Sequence, residues 1–554
     1  MTGRPARSRD APKGKARSDT ALSTSTGRTR SSLTLVTALG LLLALAAALR
    51  LHGLAYRDLW FDELGSVAMA VTGNLWESEG GNPPLYFALL RIWMHIAGTD
   101  IAQIRVLSAL FGVASVAALF WVAVELRLPA PARWWGAFLL ACSPLHLYYS
   151  QEARAYALLV LLLLLAIGSF LQAIRTGNRW SWVAHGLSVA AGLYTHNMMI
   201  PMVGAFWAAA VVLGAPRARW RGLALAHALA VVAYGPWLPR LWQQAGGDSH
   251  RWIADLMREG SLMGLVLGTV EAFDIGGRLP GHLEFPANPA TAPLAVLFFG
   301  VAGLMAIFGE HHAAPATSSG ALLKRTGVLL LFTAWPLLFL VGYSWLNKPL
   351  YVVGRYDLPG HTSYLLLMGV GINALVIRLR DYGRAAARIP VLVLLVLTTA
   401  ALTPKLTLGN RGADGHASAR LATAFKAHSK PTDLVVALDI SGPLASYAVL
   451  HAGVPLETAK FPGERLHNLD EPSLNRRVQA RLVEFRQQAK SLAGVARGRR
   501  VWLVESPIYG DLSNPSHGYE VLKRLLMAEL AHREAAEAPP KVADQVSVML
   551  LEPE

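Results

Sequence analysis

The run LTLVTALGLLLALAAALRL, residues 33–51, is followed directly by HGLAYRDLWFDE, residues 52–63. The first run is apolar over about the 20 residues that a bilayer-crossing helix needs. The second ends on two adjacent carboxylates, Asp62 and Glu63. An acidic side chain in hydrocarbon costs roughly 2.5–3.5 kcal/mol even on the lenient insertion scale. A pair at the exit of a span, with no basic residue in the next two turns, invites a chemical explanation. The bland alternative is a solvated helix start at the headgroup level. Ala46-Ala47-Ala48 offers the small residues of a signal-peptide cleavage site, but the run is long for one and many spans follow it, which favours an uncleaved first helix.

The rest of the composition agrees with a polytopic α-helical membrane protein. Of 554 residues, 53% are hydrophobic and only 16% charged, against about 25% charged in soluble domains. The net charge of +15 lies largely in short loops between spans, where orientation and anionic lipid account for it. No nucleic-acid motif accompanies it. The single cysteine, Cys142, sits in an apolar run, which excludes an intrachain disulfide and a cysteine zinc site.

Eleven candidate spans follow from the apolar runs: 33–52, 103–125, 134–148, 155–174, 183–197, 199–214, 222–240, 291–308, 327–345, 358–378 and 389–403. Residues 1–32 read as a disordered basic tail on the cytoplasmic side. With that tail inside, the even-numbered connections should be cytoplasmic. They carry Arg127 and Arg133, Arg175 and Arg179, Arg217 to Arg221, Lys324 and Arg325, and Arg378 to Arg388. Each is basic, as orientation requires. Counting the short apolar stretch Pro84 to Ala97 as a span would put the later basic loops outside. It therefore reads as an interfacial helix on the outer leaflet, started by Pro83 and Pro84.

The transmembrane domain then covers 33–404, with a long first outer loop at 53–102. Residues 405–554 read as an extracytoplasmic α/β domain. Leu434–Leu438 and Val501–Val504 look like buried parallel strands, and Val546–Leu551 like a last strand. Leu421–His428, Leu444–His451, Arg477–Ala496 and Tyr519–Ala536 look helical. No G-x-G-x-x-G follows a strand, so nucleotide binding is not supported.

The distinctive polar clusters all fall on the outer side. Asp62 and Glu63 come first. Gly81-Asn82-Pro83-Pro84-Leu85-Tyr86 comes second, with Arg105 beyond it. Ser143 to Tyr156 is third and holds Tyr148, Tyr149, Glu152 and Arg154. Tyr194-Thr195-His196-Asn197 and Gly354-Arg355-Tyr356 complete the set. Arginines such as Arg154 and Arg355 grip phosphate through charge-assisted, often bidentate hydrogen bonds. A carboxylate can take the proton of an attacking hydroxyl. Tyrosines stack on sugars, or simply belong to the aromatic belt. Consecutive residues on a helix point apart, so one of Asp62 and Glu63 faces a reaction centre. Glu152 and Arg154 could instead pair with each other, Arg105 could be an interfacial anchor, and His196 an ordinary turn residue. A divalent metal held by Asp62, Glu63, His146 and His196 is conceivable, but no H-x-x-x-H or D-x-D spacing favours it.

Taken in order, Leu59 to Glu63, Asn82 to Tyr86, Gly98 to Gly112, Ser143 to Tyr156, Tyr194 to His196 and Arg355-Tyr356 resemble the membrane glycosyltransferases of the C fold. The specific likeness is to family 39, the protein O-mannosyltransferases and lipid A aminoarabinose transferases. The family commonly has histidine where Asn82 stands. The resemblance implies an inverting transfer from a polyprenyl-phosphate sugar at the outer face of the inner membrane, to a glycan, lipid or protein hydroxyl. It implies Asp62 as general base with Glu63 as helper, and no cofactor. Arg154, Arg355 and Arg105 become the residues for the donor phosphate. Asn82, Tyr86, Tyr149, Glu152, Tyr156, His196 and Tyr356 become substrate contacts.

Other classes predict other patterns. A lipid-glycan transporter would carry charges near the bilayer midplane and two related halves. A glycan polymerase or ligase would be expected to keep its critical residues in late outer loops. A scaffold with an outer binding domain leaves the five clusters unexplained.

Overall fold

The computed structural model describes residues 19–72, 75, 82–246, 253, 262–275, 278–279, 283–284, 291–309, 316–407, 416–438, 441–462, 471–505, 517–530, 532–535 and 546–553. The first ten helices are α1 (Asp19–Leu51), α2 (Phe61–Thr72), α3 (Leu85–Ala97), α4 (Ile101–Glu125), α5 (Ala130–Cys142), α6 (Pro144–Ser150), α7 (Tyr156–Thr176), α8 (Arg179–Leu193), α9 (Met199–Val212) and α10 (Arg217–Tyr234). Helix α1 begins at Asp19, so the part of the expected disordered tail from residue 19 onward is helical; residues 1–18 lie outside the described residues.

Among the described residues, eight helical segments are long and apolar enough to cross a bilayer: Thr34–Leu51, Ile101–Glu125, Tyr156–Thr176, Arg217–Gln243, Ala292–Gly309, Leu323–Leu346, Leu358–Arg380 and Ala386–Thr403. Each coincides with an expected span. The other three expected spans are shorter helices. The stretch 134–148 is broken because Pro144 cannot continue a helix. Instead the Ser143 side chain accepts from the His146 N–H at 3.3 Å and starts α6. Helix α8 has 15 residues and α9 has 14, which at 1.5 Å per residue is about 21–22 Å. Helix α3, with 13 residues after Pro84, matches the expected short helix. Val36, Leu41, Val232 and Leu346 point outward and exposed, as side chains facing lipid do.

Lipid tails are as apolar as leucine, so burial alone does not hold membrane helices together; close backbone approach does. The helix Leu358–Arg380 illustrates this. A Cβ on Gly371 would sit 1.8 Å from the Ala302 carbonyl oxygen, and one on Gly369 would sit 2.7 Å from that of Ala132. Glycine is the only residue that fits between these helices.

The C-terminal domain is a five-stranded sheet in the order Glu457–Phe461, Leu434–Leu438, Val501–Glu505, Ser547–Pro553, His532–Glu534. A separate antiparallel two-residue ladder, β1 (Arg278–Leu279) with β2 (Leu283–Glu284), precedes it in the chain. Strands β3 (Leu434–Leu438), β4 (Glu457–Phe461) and β5 (Val501–Glu505) are parallel, with β3 in the middle. Strand β7 (Ser547–Pro553) runs antiparallel to β5, and β6 (His532–Glu534) antiparallel to β7. The expected parallel pair and last strand are present. Strands β4 and β6 were not expected, and the helix expected to reach Ala536 stops at Leu530 to let β6 form. The helix expected over Arg477–Ala496 is two helices, Glu471–Ala480 and Leu482–Ala496.

One face of this sheet shares a core with the 53–102 segment. Leu59, Leu64, Val67, Tyr86, Phe87 and Leu90 pack into the same buried cluster as Leu421, Phe425, Val435, Tyr447 and Trp502. Polar contacts reinforce it. The His416 Nε2–H donates to the Ala55 carbonyl at 2.9 Å, and the Ser418 N–H to Asp58 Oδ2 at 3.0 Å. The Ser418 hydroxyl also binds Asp58 Oδ1. The loop that carries Asp62 is thus built against the α/β domain.

Candidate active site

Asp62 and Glu63 lie in the first turn of α2, where carboxylates complement the positive end of the helix dipole. Glu63 reaches back to the Trp60 N–H at 3.3 Å. From there the two side chains part. Glu63 is fully buried. Its Oε1 accepts from Arg105 Nε at 2.8 Å and from the Ala153 N–H at 2.8 Å, and its Oε2 accepts from Arg105 Nη2 at 2.7 Å. Burial by itself would raise this carboxyl, but Arg105, Arg57 and the Ala153 N–H hold it below its ordinary range.

Arg105 completes its coordination with main-chain oxygens. Nη1 donates to Leu54 at 2.7 Å and Arg57 at 2.8 Å, and Nη2 to Asp58 at 2.9 Å. A guanidinium has five N–H donors, and all five are engaged here. The expectation that Arg105 holds a phosphate finds no remaining donor to do so. Its geometry is that of a rivet joining α4, the 54–58 segment and α2.

Asp62 points the other way, into a cleft where its side chain is 21% exposed. Its Oδ2 lies 2.6 Å from Arg355 Nη2 and 3.5 Å from Arg154 Nη2. Arg154 is also anchored to the backbone of α2: Nη1 donates to the Asp62 carbonyl at 3.0 Å and to Ser66 Oγ at 3.2 Å. Burial would weaken the charge of Arg154, but Asp62 and Tyr156 outweigh it and keep the guanidinium above its ordinary range. Arg355 donates from Nε to Tyr156 Oη at 2.5 Å. Its guanidinium carbon stands 5.6 Å from the Tyr156 ring, 5.8 Å from Tyr356 and 5.9 Å from Trp60, within cation–π reach.

Around these charges stand further expected residues. Tyr149 packs on Tyr156 with ring centroids 4.6 Å apart, Tyr156 on His196 at 5.3 Å, and His196 on Tyr356 at 5.9 Å. Asn82 is half-buried three residues before α3 begins, and α3 is tied to the His196 turn by the Leu85 N–H on the Tyr194 carbonyl at 2.9 Å. Tyr86, by contrast, is fully buried behind the cleft, its hydroxyl 2.9 Å from Ser108 Oγ. Glu152 does not pair with Arg154. It is fully buried, bound to the Tyr148 hydroxyl and 3.7 Å from Arg57. Burial pushes its carboxyl up to about 7, aided by the neighbouring Glu63 and opposed by Arg57.

Arg355 is delivered by a tight segment. Gly354 has φ +68°, a left-handed conformation that glycine adopts without cost from a Cβ. The Gly354 N–H donates to Asp357 Oδ2 at 2.9 Å, and its carbonyl accepts from Tyr149 Oη at 2.7 Å. Thr269 Oγ1 donates to the same Asp357 oxygen at 2.8 Å.

The sequence reading passed over four supports. Trp60 and Ser66 touch the arginines, and Arg57 faces Glu152. Arg50, fully buried, bonds the Ala46, Leu140 and Ala141 carbonyls at 3.0–3.1 Å and His146 Nδ1 at 2.7 Å. An arginine inside an apolar run is itself the signal that could have found it. Two buried donors at the cleft, Arg154 Nε and Trp60 Nε1, have no hydrogen-bond partner among the described residues. Nor, among those residues, do three His, Cys, Asp or Glu side chains gather as a metal-binding group.

Residues 81–242 match the family described as dolichyl-phosphate-mannose-protein mannosyltransferase. ArnT from Cupriavidus metallidurans bound to undecaprenyl phosphate is similar in structure, with TM-score 0.56 and 14% identity over 92% of this chain and 97% of that one. Its apo state gives 0.55 and 13% over 93% and 98%. The archaeal oligosaccharyltransferase AglB from Archaeoglobus fulgidus, in complex with an inhibitory peptide and a dolichol-phosphate, gives 0.50 and 13% over 89% of this chain and 71% of that one. No curated protein matches in sequence. The chain thus shares the C-type glycosyltransferase fold of ArnT and AglB, and its residues 81–242 carry the likeness to the dolichyl-phosphate-mannose-protein mannosyltransferases.

Proposed function

We propose that this protein transfers a sugar from a polyprenyl-phosphate donor to a hydroxyl of an envelope glycan, lipid or protein. The observation that carries the reading is one carboxylate, Asp62, set between two guanidiniums in a cleft of aromatic rings. Solved structures of the same fold hold undecaprenyl phosphate and dolichol-phosphate, which supports a lipid phosphate as the donor group.

In the proposed reaction, Asp62 takes the proton of the acceptor hydroxyl as its oxygen attacks the anomeric carbon. The bond from that carbon to the phosphate oxygen breaks, and the electron pair leaves with the phosphate. Arg154 and Arg355 stabilise the charge that develops there. A single displacement inverts the anomeric configuration. Glu63 and Arg105 act through Asp62 by holding the start of α2, while Tyr149, Tyr156, His196, Tyr356 and Asn82 line the approach of the substrates. Charge compensation of the leaving phosphate replaces the need for a protonating acid, and the reading assigns no cofactor.

The same reading sets the protein in the plasma membrane, the inner membrane of a bacterium with two, with eleven spans, the N-terminus cytoplasmic and the 405–554 domain outside. The basic connections support that orientation. A sugar nucleotide is not available on that side, so a lipid must carry the sugar there.

The test is envelope glycan mass spectrometry on a deletion strain complemented with wild type or Asp62→Asn. One sugar mass should vanish in the deletion and return with wild type alone. A deletion that leaves every glycan unchanged would sink the reading in favour of a transporter or scaffold.

A further inference from the structure

The two arginines that would grip the donor phosphate already hold an anion, the carboxylate of Asp62. Oδ2 lies 2.6 Å from Arg355 Nη2 and 3.5 Å from Arg154 Nη2. A carboxylate held this way is a weak base, because its lone pairs are engaged by positive donors. The guanidinium edges that face it are the ones a phosphate would need.

We propose that the Asp62 carboxylate and the donor phosphate compete for one seat on Arg154 and Arg355, so that arrival of the donor releases Asp62 to act as base. This rests on the function proposed above and adds an order to it: donor before deprotonation of the acceptor.

The local construction fits an exchange of anions. Arg154 holds the Asp62 main-chain carbonyl and Ser66 Oγ through Nη1. Both contacts survive if the carboxylate alone swings away. Arg355 is steadied separately by Tyr156 Oη and by the Gly354 segment pinned to Asp357. Glu63 and Arg105 fix the backbone on the far side of α2. The movement therefore reduces to a change of rotamer at one short side chain, between staggered wells. Arg154 Nε and Trp60 Nε1, buried and without partners among the described residues, are further donors for the extra oxygens that a phosphate has and a carboxylate lacks.

The measurement is binding of undecaprenyl phosphate to the full-length protein in nanodiscs, at pH 8, with neutral undecaprenol as the control lipid. Removing the internal competitor should tighten binding. Asp62→Asn and Asp62→Ala should each bind the phosphate about five- to thirtyfold more tightly than wild type, the range for loss of one or two favourable ion-pair contacts. Arg355→Gln should bind more weakly. Undecaprenol binding should not change. Glu152→Gln removes a nearby charge without freeing a guanidinium and should tighten phosphate binding far less than either Asp62 variant.

Equal or weaker binding by both Asp62 variants, with wild type binding normally, would overturn the competition and leave the proposed transfer standing. Equal tightening in Glu152→Gln would overturn it too, as a general effect of charge. No preference of wild type or variants for the phosphate over undecaprenol would overturn both the competition and the function it rests on.

Discussion

Arg105 binds both oxygens of Glu63, at 2.8 and 2.7 Å, with neither side chain more than 1% exposed. The second carboxylate of the Asp62-Glu63 pair therefore belongs to the frame. Breaking a buried ion pair from one side leaves an uncompensated charge and costs about 3–5 kcal/mol. Arg105→Ala and Glu63→Ala should each lower the unfolding temperature in detergent sharply and reduce the folded yield. The double variant should lose less than the sum, because its partners are removed together. An Arg105→Ala protein as stable as wild type would contradict this role.

Asp62 lies on the open side, and its replacement should act on rate, not on folding. Asp62→Asn keeps the shape of the side chain and the main-chain contacts of Arg154. Loss of a general base lowers rates by about 100- to 10,000-fold. Transfer measured with purified protein should fall in that range while the unfolding temperature stays near wild type. Retention of more than half the wild-type rate would remove Asp62 from the chemistry.

Glu152 makes stability depend on pH in a definite sense. Burial pushes its carboxyl up to about 7, above the ordinary value of about 4.3. The folded state therefore holds this proton more tightly than the unfolded chain does. The associated stability is fully present below about pH 4.3 and is lost as pH rises through 7. Glu152→Gln mimics the protonated form, so the gap between its unfolding temperature and that of wild type should move in its favour from about pH 5 to pH 8. A gap constant across that window would show that the carboxyl titrates alike in both states.

The Asp58–Ser418 contact joins the loop before α2 to the α/β domain. Hydrogen bonds to a charged group are worth about 1.5–3 kcal/mol. Ser418→Ala should loosen the loop by a comparable amount, speeding amide hydrogen exchange across Tyr56 to Asp62 and lowering transfer without touching the cleft. Unchanged exchange in that segment would show that the shared apolar core suffices.

Much of this could be read in advance, and the exceptions have physical causes. Long apolar runs reveal spans because hydrocarbon excludes polar backbone and charge, and eight of them became long helices. The adjacency of Asp62 and Glu63 shows that they diverge, but not which one turns inward; that depends on Arg105, forty-two residues away in the chain. Arg105 itself looked like Arg154 and Arg355, since a lone arginine near a span end carries no record of how many carbonyls surround it. Strand β4 escaped notice because it is an edge strand whose Glu457 and Thr458 are exposed, leaving no apolar pattern. Strand β6 lies in a sequence of good helix formers, and pairing with β7 overrides that preference.

The contact between Asp62 and Arg355 spans 293 residues. A ribosome adding about 5–20 residues per second needs roughly 15–60 s to travel from one to the other. Throughout that interval the emerging polypeptide holds its aspartate without its late arginine. The cleft is finished only when the segment before the Leu358–Arg380 helix arrives, so a chain interrupted earlier would be inserted yet inert. Biogenesis itself thereby delays the completion of this site until nearly the whole membrane domain has been made.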